Sequence, residues 1–177
     1  MYFKNFQKGL YDIKGDGNKK LVTDLMTRVK VREKILDESA LYDTYDVPSG
    51  EKPEDTAYKH FGSSQYHWVI LLTNNITDRY YDWPLSEQDF ETYMNDKYTN
   101  PDAVHHYEIT QSSGPQTGSG PDDYSHKIEV NSTQSGAQSV SNREYEQRLQ
   151  DEKRQIRLLD PNYLLTFIDE FEKLVRN

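Results

Sequence analysis

Cysteine is absent from the 177 residues. That absence excludes a disulfide framework, thiolate zinc sites and cysteine nucleophiles in this chain. Branched aliphatics and phenylalanine are scarce: Leu, Ile, Val and Phe number 37, about 21% of the chain, just above the level at which disorder becomes the default. Basic residues are in deficit, 21 against 30 acidic, for a formal charge of −9. This balance argues against a nucleic-acid groove, which needs a basic stripe, and against electrostatic docking on anionic lipid. No run approaches the length of a membrane-spanning helix, and MYFKNFQKGLYDIKG lacks the apolar core of a signal peptide. Neither nucleic acid nor membrane is therefore an expected partner. The length predicts one domain, or a small domain with appendages. What the chain does have is tyrosine, with 14 copies. Its core is expected to be small and aromatic-rich, and part of the chain to lean on something else.

Charge and aromatics divide the chain into four segments. Residues 1–40 carry a surplus of basic groups, nine against six, whereas 41–96 hold eleven acids and three bases. Residues 41–98 also contain both tryptophans and eight of the tyrosines, which makes them the candidate core. Within 99–142, the stretch 111–142 is dominated by Ser, Gly, Gln and Thr and offers only Tyr124, Ile128, Val130, Ala137 and Val140 for burial. Such a stretch cannot offset its own ordering entropy, so it reads as a flexible polar loop or linker. The alternation His126-Lys127-Ile128-Glu129-Val130 also permits a hairpin, with a short strand pairing with Tyr107-Glu108-Ile109.

Residues 143–177 regain order. Asp160-Pro161 is a favourable helix start, because proline at the first helical position sacrifices no bond. Leu164, Ile168, Phe171 and Val175 then recur at 4-3-4 spacing, the mark of an amphipathic terminal helix. It caps its own domain or docks on a partner. Upstream, NREYEQRLQDEKRQIRLL mixes charge densely and reads as helix, strand or both. The opening reads as an extended aromatic arm (Tyr2, Phe3, Phe6), a turn at Gly15-Asp16-Gly17-Asn18, and a helical face of Leu21, Val22, Leu25, Met26 and Val29. Lys30 to Glu38 receive no type.

Residues 41–98 parse into capped elements. Leu41, Tyr42, Tyr45 and Val47 suggest a strand that ends at Pro48-Ser49-Gly50. Pro53 opens a helix with Glu54 and Asp55 in its first turn, where the dipole favours negative charge. Ala57, Tyr58 and Phe61 form its inner face, and Gly62 ends it. Ser63 or Ser64 caps a second helix with Trp68, Val69 and Leu72, stopping at Asn74-Asn75. A third begins after Ser86 and carries Phe90, Tyr93, Met94 and Tyr98. The expected fold is α+β: a β-α-α core with an additional helix, an extended N-terminal arm, a polar insert and a C-terminal amphipathic helix.

The stretch YDVPSGEKPEDTAYKHFGSSQYHWVILLTNN resembles a LysM module. With MYFKNF, ITDRYYDWPLSEQDFETYMNDKY and YEQRLQDEKRQIRLLDPNYLLTFIDEF, the chain resembles the baseplate wedge protein 53 family of T-even-like contractile-tailed phages. The most specific strings are HWVILLTNNI and YYDWPLS. The resemblance implies a virion structural protein of the tail baseplate, made in the bacterial cytoplasm and not an enzyme. It further implies a clamp that bridges neighbouring wedges into a sixfold ring, with other wedge subunits as partners. In LysM modules the groove lies between two loops, here Pro48-Ser49-Gly50 and Asn74-Asn75-Ile76. Two departures argue against carbohydrate there: no second strand follows Ile76, and only one module is present, whereas avidity usually needs several. The alternative is a peptidoglycan-binding LysM protein or an accessory to a cell-wall hydrolase.

Catalytic and metal chemistry finds little purchase. His105 and His106 would point to opposite faces of a strand, leaving His106 and Glu108 as two ligands without a third. The Asp12–Asn18 turn has Lys14 at a position where calcium loops place a ligand, and it lacks their bidentate glutamate. No phosphate loop, dinucleotide fingerprint or nucleophile elbow is present, and no cofactor is expected. The acids of 41–96 read as a solvated face that should meet a basic surface. Interface candidates are Phe3 and Phe6 on the arm and Phe167, Phe171 and Val175 on the terminal helix. Tyr80, Tyr81 and Trp83 form either a packed substitute for the missing strand or a partly exposed hot-spot cluster, with Trp83 the buried member.

Overall fold

The structure is a computed structural model that describes residues 2–26, 29–31, 39–111 and 126–176. Tyr124 and most of the untyped stretch 30–38 lie outside them. The chain forms two compact units, one from residues 1–84 with 153–177 and the other from 85–152. This division differs from the 41–98 grouping, since the helix after Ser86 is counted with the second unit. Helices and small antiparallel sheets coexist, so the fold is α+β.

The first unit begins with a short 3₁₀ turn, Tyr2–Asn5, followed by a hairpin of β1 (Lys8–Tyr11) and β2 (Lys20–Thr23). Here the helical reading of Leu21 to Val29 is overturned. The apolar spacing suits a helix, but the preceding turn dictates pairing. The Asp12 carboxylate accepts backbone N–H groups from Lys14, Gly15, Asp16 and Gly17 at 2.7–3.3 Å. Those four bonds hold the Asp12 carboxyl below its ordinary pKa, the Gly17 bond most of all. Gly15 and Gly17 take positive φ, 69° and 80°, which a side chain would resist. The loop so folded returns the chain in register, Leu10 opposite Leu21 and Gly9 opposite Val22. Val22 and Thr23 are β-branched and suit the strand.

The next elements follow the caps. Strand β3 spans Tyr42–Asp46. Helix α1 (Pro53–Phe61) has proline in its first turn and ends at Gly62, φ 75°, whose N–H returns to the Tyr58 carbonyl at 3.0 Å. Ser63 caps a 3₁₀ turn leading into α2 (His67–Thr73), which buries Trp68, Val69, Ile70 and Thr73. The strand that pairs with β3 comes from far downstream. Strand β7 (Gln155–Leu159) pairs antiparallel with β3, Tyr42 opposite Leu159 and Asp46 opposite Gln155. Its pattern is period two, with Ile156 and Leu158 buried and Gln155 and Arg157 exposed. Two side chains lock it: the Asn74 amide donates to the Arg157 carbonyl and accepts the Arg157 N–H, both at 2.8 Å, and His60 Nε2 lies 2.8 Å from the Leu159 carbonyl.

After a 3₁₀ turn started by Asp160, whose carboxylate accepts the Asn162 N–H at 2.8 Å, helix α5 (Leu164–Arg176) closes the unit. It packs in its own unit: Leu164, Phe171 and Val175 share a cluster with Phe6, Trp68, Val69 and Leu159. Rings of the arm complete it, Tyr2 lying 5.5 Å from Trp68 and 5.3 Å from Phe171. A second cluster joins Val47, Ala57, Ile70, Trp83, Ile156 and Leu158.

In the second unit Ser86 caps α3 (Glu87–Lys97) by accepting the Asp89 N–H at 3.1 Å, and Phe90 and Met94 are buried. Strands β4 (Val104–Gln111), β5 (His126–Val130) and β6 (Gln138–Ser141) form a sheet in the order β5-β4-β6. The pairing anticipated between 107–109 and 126–130 is present, Ile109 opposite Ile128. The polar insert is thus partly sheet. A register shift between Val104 and His106 overturns the opposed-histidine reading. Both rings lie against Tyr145, His105 stacked at 4.0 Å and His106 edge-on at 5.9 Å. The charged stretch that follows is helix and then strand: α4 (Asn142–Arg154) runs directly into β7.

Charge forms part of the interior of this unit. Glu108 is 3% exposed and takes both guanidinium nitrogens of Arg148, at 2.7 and 3.0 Å, and the Lys127 ammonium at 3.1 Å. The Arg148 bonds, opposed by burial and helped by Lys127, hold its carboxyl at about 2. Burial pushes the Glu146 carboxyl up, but Lys97, Tyr98 and Tyr93 together hold it below the ordinary value. The Gln150 side chain, one turn on, accepts the Leu85 N–H at 3.0 Å.

Two outcomes follow. Phe171→Ala should cost about 3–5 kcal/mol in urea unfolding monitored by Trp fluorescence, while Leu165→Ala, on the exposed side of α5, should stay within about 0.5 kcal/mol. Because the folded carboxyl of Glu108 is depressed, its contribution is full above the ordinary carboxylate range and drains away as pH falls toward about 2. Acid titration of Glu108→Gln should show a flatter loss of stability between pH 4.5 and pH 2 than the parent.

Candidate functional site

The loop between α2 and Pro84 is built to hold its shape. The Asp82 carboxylate accepts the N–H groups of Thr77 and Asp78, both at 3.1 Å, and Asp78 accepts the Tyr80 N–H at 2.9 Å. The Asp78 bond, opposed by partial burial and joined by the Thr77 bonds, lowers the Asp82 carboxyl pKa. The Asp82 N–H returns to the Asp78 carbonyl at 2.8 Å. Three anchors tie the loop to the rest of its unit. Arg79 meets Glu54 at 2.8 Å, Lys153 Nζ meets the Tyr81 carbonyl at 2.6 Å, and the Trp83 indole N–H meets the Glu51 carbonyl at 2.8 Å.

Such a loop separates the three aromatics that the sequence placed together. Trp83 is buried in the second cluster, whereas Tyr80 and Tyr81 are 78% and 75% exposed. The Arg79 guanidinium carbon sits 5.8 Å from the Tyr80 ring centroid, stiffening that side chain further. Two tyrosines on a pre-organised loop present large contact area at low ordering cost, which is the composition of an interface hot spot. Charges of both signs lie around them: Arg79 and Lys153 touch the loop, and Glu54 and Asp78 stand opposite.

The remaining candidates divide by burial. Phe6, Phe171 and Val175 fill the first cluster, fastening the arm to α5, while Phe3 projects outward. Phe167 is partly buried and lines an apolar groove of about 650 Å³ together with Val29, Val31, Tyr42, Leu72 and Leu174. The Tyr42 hydroxyl is buried there with no hydrogen-bond partner among the described residues, and burial pushes its pKa up. Pro48, Ser49 and Gly50 are exposed, as is Asn75, which takes φ 55°. Asn74 is committed to β7, and Ile76 packs against the second cluster.

Sequence reasoning missed the hairpin. Leu10, Tyr11, Ile13 and Leu21 are all exposed, and no β1 side chain is buried. The Asp12–Gly17 turn, with its two glycines, was the available signal. It was outweighed by the helical spacing after Leu21. Among the described residues no group of three potential metal ligands gathers, and the Glu108 carboxylate 3.9 Å from His106 is held by Arg148 and Lys127.

Trp83→Phe should loosen the loop by removing the bond to Glu51 while keeping most of the packing, at about 1 kcal/mol. Amide exchange at Thr77 and Asp78 is expected to rise, and Tyr80→Ala should leave both stability and exchange unchanged.

The model of the family described as "Base plate wedge protein 53" matches residues 1–113. A relative, the baseplate wedge protein gp53 of Enterobacteria phage T4, is 33% identical over 57 residues, which cover 32% of this chain and 29% of that protein. The chain thus matches less than a third of the length of that curated relative. The chain belongs to the base plate wedge protein 53 family, structural proteins of the bacteriophage tail baseplate.

Proposed function

We propose that the chain is a non-enzymatic clamp that bridges neighbouring baseplate wedges. The observation that carries this reading is the family match over residues 1–113, which covers the arm, the hairpin, the β3-α1-α2 segment and the tyrosine loop. The geometry supports a clamp because the apolar groups left outward are distributed. Phe3 stands on the arm, Leu10 and Leu21 on the hairpin, and Tyr80 and Tyr81 on the loop. Separate anchors let one body contact several subunits, and charge around them selects partners more than it adds affinity.

The order β3-α1-α2-β7 is a β-α-α-β arrangement with residues 85–152 inserted before its last strand. It supports reading the first unit as LysM-like. The Asn74 amide is spent on the β7 backbone, which leaves Pro48–Gly50 and Asn75 as the open groove residues and favours protein over sugar there.

Truncating α5 is a poor test, since it would remove Leu164, Phe171 and Val175 from the core. The more informative variant is Phe3→Ser, which spares the buried side chains and removes a half-exposed ring 5.1 Å from Tyr2 and 5.7 Å from Phe6, with its urea midpoint measured alongside. Supplied in trans to a phage lacking the gene, the parent chain should appear in purified tails and restore baseplates with sixfold symmetry. Phe3→Ser should lower incorporation several-fold. Absence of the parent chain from tails would sink the proposal. Pelleting with purified peptidoglycan is expected to retain nothing, and retention abolished by Gly50→Lys or Asn75→Lys would favour the cell-wall alternative.

A further inference from the structure

The two strands of the β3–β7 pair treat their outer edges differently. In an antiparallel ladder the peptide groups point alternately toward the partner strand and away from it. The Val47 N–H donates to the Arg154 carbonyl and the Asp160 N–H to the Leu41 carbonyl, both at 2.9 Å. Peptide groups at positions 41, 43, 45 and 47 therefore face β7, and those at 42, 44 and 46 face outward. On β7 the outward groups are in use: Asn74 brackets the Arg157 peptide and His60 meets the Leu159 carbonyl. On β3 they are idle. The backbone N–H and C=O groups of Tyr42, Thr44 and Asp46 have no hydrogen-bond partner among the described residues. Thr44 and Asp46 are exposed and Tyr42 is half-buried, so the row is open to another chain.

A row of alternating donors and acceptors is matched along its whole length by an extended backbone. What lies at its two ends selects the side chains of that backbone. Leu41, Tyr42 and Leu159 line the apolar groove. Asp46, four positions on, is in no ion pair among the described residues. We propose that β3 is a strand-addition site that takes an extended segment of a neighbouring baseplate subunit. That segment carries an aliphatic residue opposite Tyr42, beside the groove, and a basic residue opposite Asp46. Apolar and opposite-charge pairs across a ladder each add to its stability. Three outward peptides make a contact too small to hold alone, which suits one anchor among several on a scaffold. This deepens the bridging reading by giving β3 a partner of stated chemistry, and it rests on that reading for the partner being a neighbouring subunit.

Amide hydrogen exchange over residues 41–47, read in the purified full chain and again in purified tails, tests the edge. In the free chain Thr44 and Asp46 should exchange fast, while Asp43, Tyr45 and Val47 exchange slowly. In tails the two fast amides should slow about a hundredfold. Thr44→Pro removes one outward donor and no bond to β7, a change that strand edges tolerate. Its urea midpoint should match the parent, and its incorporation into tails should fall about tenfold, the worth of one or two hydrogen bonds. Asp43→Pro removes a donor that faces β7 and should instead lower the midpoint. A benzophenone side chain in place of Thr44 should cross-link to another tail protein. Fast exchange of Thr44 and Asp46 in tails overturns the proposal, as does parent-level incorporation of Thr44→Pro. Cross-links confined to this chain, its own residues or a second copy, overturn it too. Should Thr44→Pro lower the midpoint, exchange in the unaltered chain decides. A parent chain that enters tails with its β3 edge still exchanging fast sinks this contact and leaves the baseplate role standing, whereas absence of the chain from tails sinks both.

Discussion

Backbone pairing between β3 and β7 is the constraint on which the first unit depends. It joins residues 42–46 to 155–159 and thereby closes a body whose two ends are separated by an inserted unit. Loop-closure entropy grows only logarithmically, about 0.6 kcal/mol per doubling, so a long insertion is tolerated when the returning strand is specified well. Here it is specified three ways. Ile156 and Leu158 enter the second cluster, Asn74 brackets the Arg157 peptide, and His60 approaches the Leu159 carbonyl. Once β7 is seated, α5 follows after one 3₁₀ turn and is delivered to Trp68, Phe6 and the arm.

That economy answers the scarcity of aliphatic side chains. The first unit substitutes rings, with Tyr2, Phe6, Trp68 and Phe171 within 4.7–6.3 Å of one another in successive pairs. The second unit substitutes ionic pairs. Glu108 and Glu146 are buried among Arg148, Lys127, Lys97, Tyr93 and Tyr98. A paired interior of this sort contributes specificity of geometry more than net stability, since desolvation of each charge offsets much of the attraction. The apolar residues the core does not need are then available outside it.

The tyrosine loop shows the result. The loop bearing Tyr80 and Tyr81 is held by Asp82, Asp78, Arg79, Lys153 and Trp83, so its ordering cost is met before any partner arrives. The hairpin is the opposite case, a short two-stranded element with no β1 side chain buried.

Much of this was legible in the residues. Capped elements such as Pro53 to Gly62, the 4-3-4 stripe of the terminal helix and the inward Trp83 emerged from local rules, because their determinants lie within a few positions of each other. The family likeness was legible too, through strings such as HWVILLTNNI. Three things were decided only by tertiary structure. The segment after Lys20 became a strand because the Asp12 turn supplied a partner in register, overriding a helical spacing. His105 and His106 came to one side because a bulge broke the alternation. Phe6, Phe171 and Val175 turned inward while Phe3, Leu10 and Leu21 stayed out, since amphipathic spacing marks an apolar face without saying what covers it. The sequence by itself determined the capped elements of 41–98, the terminal helix and the family. Which apolar surface is core and which stays exposed depended on the long-range pairing of β3 with β7, and no local pattern encodes that.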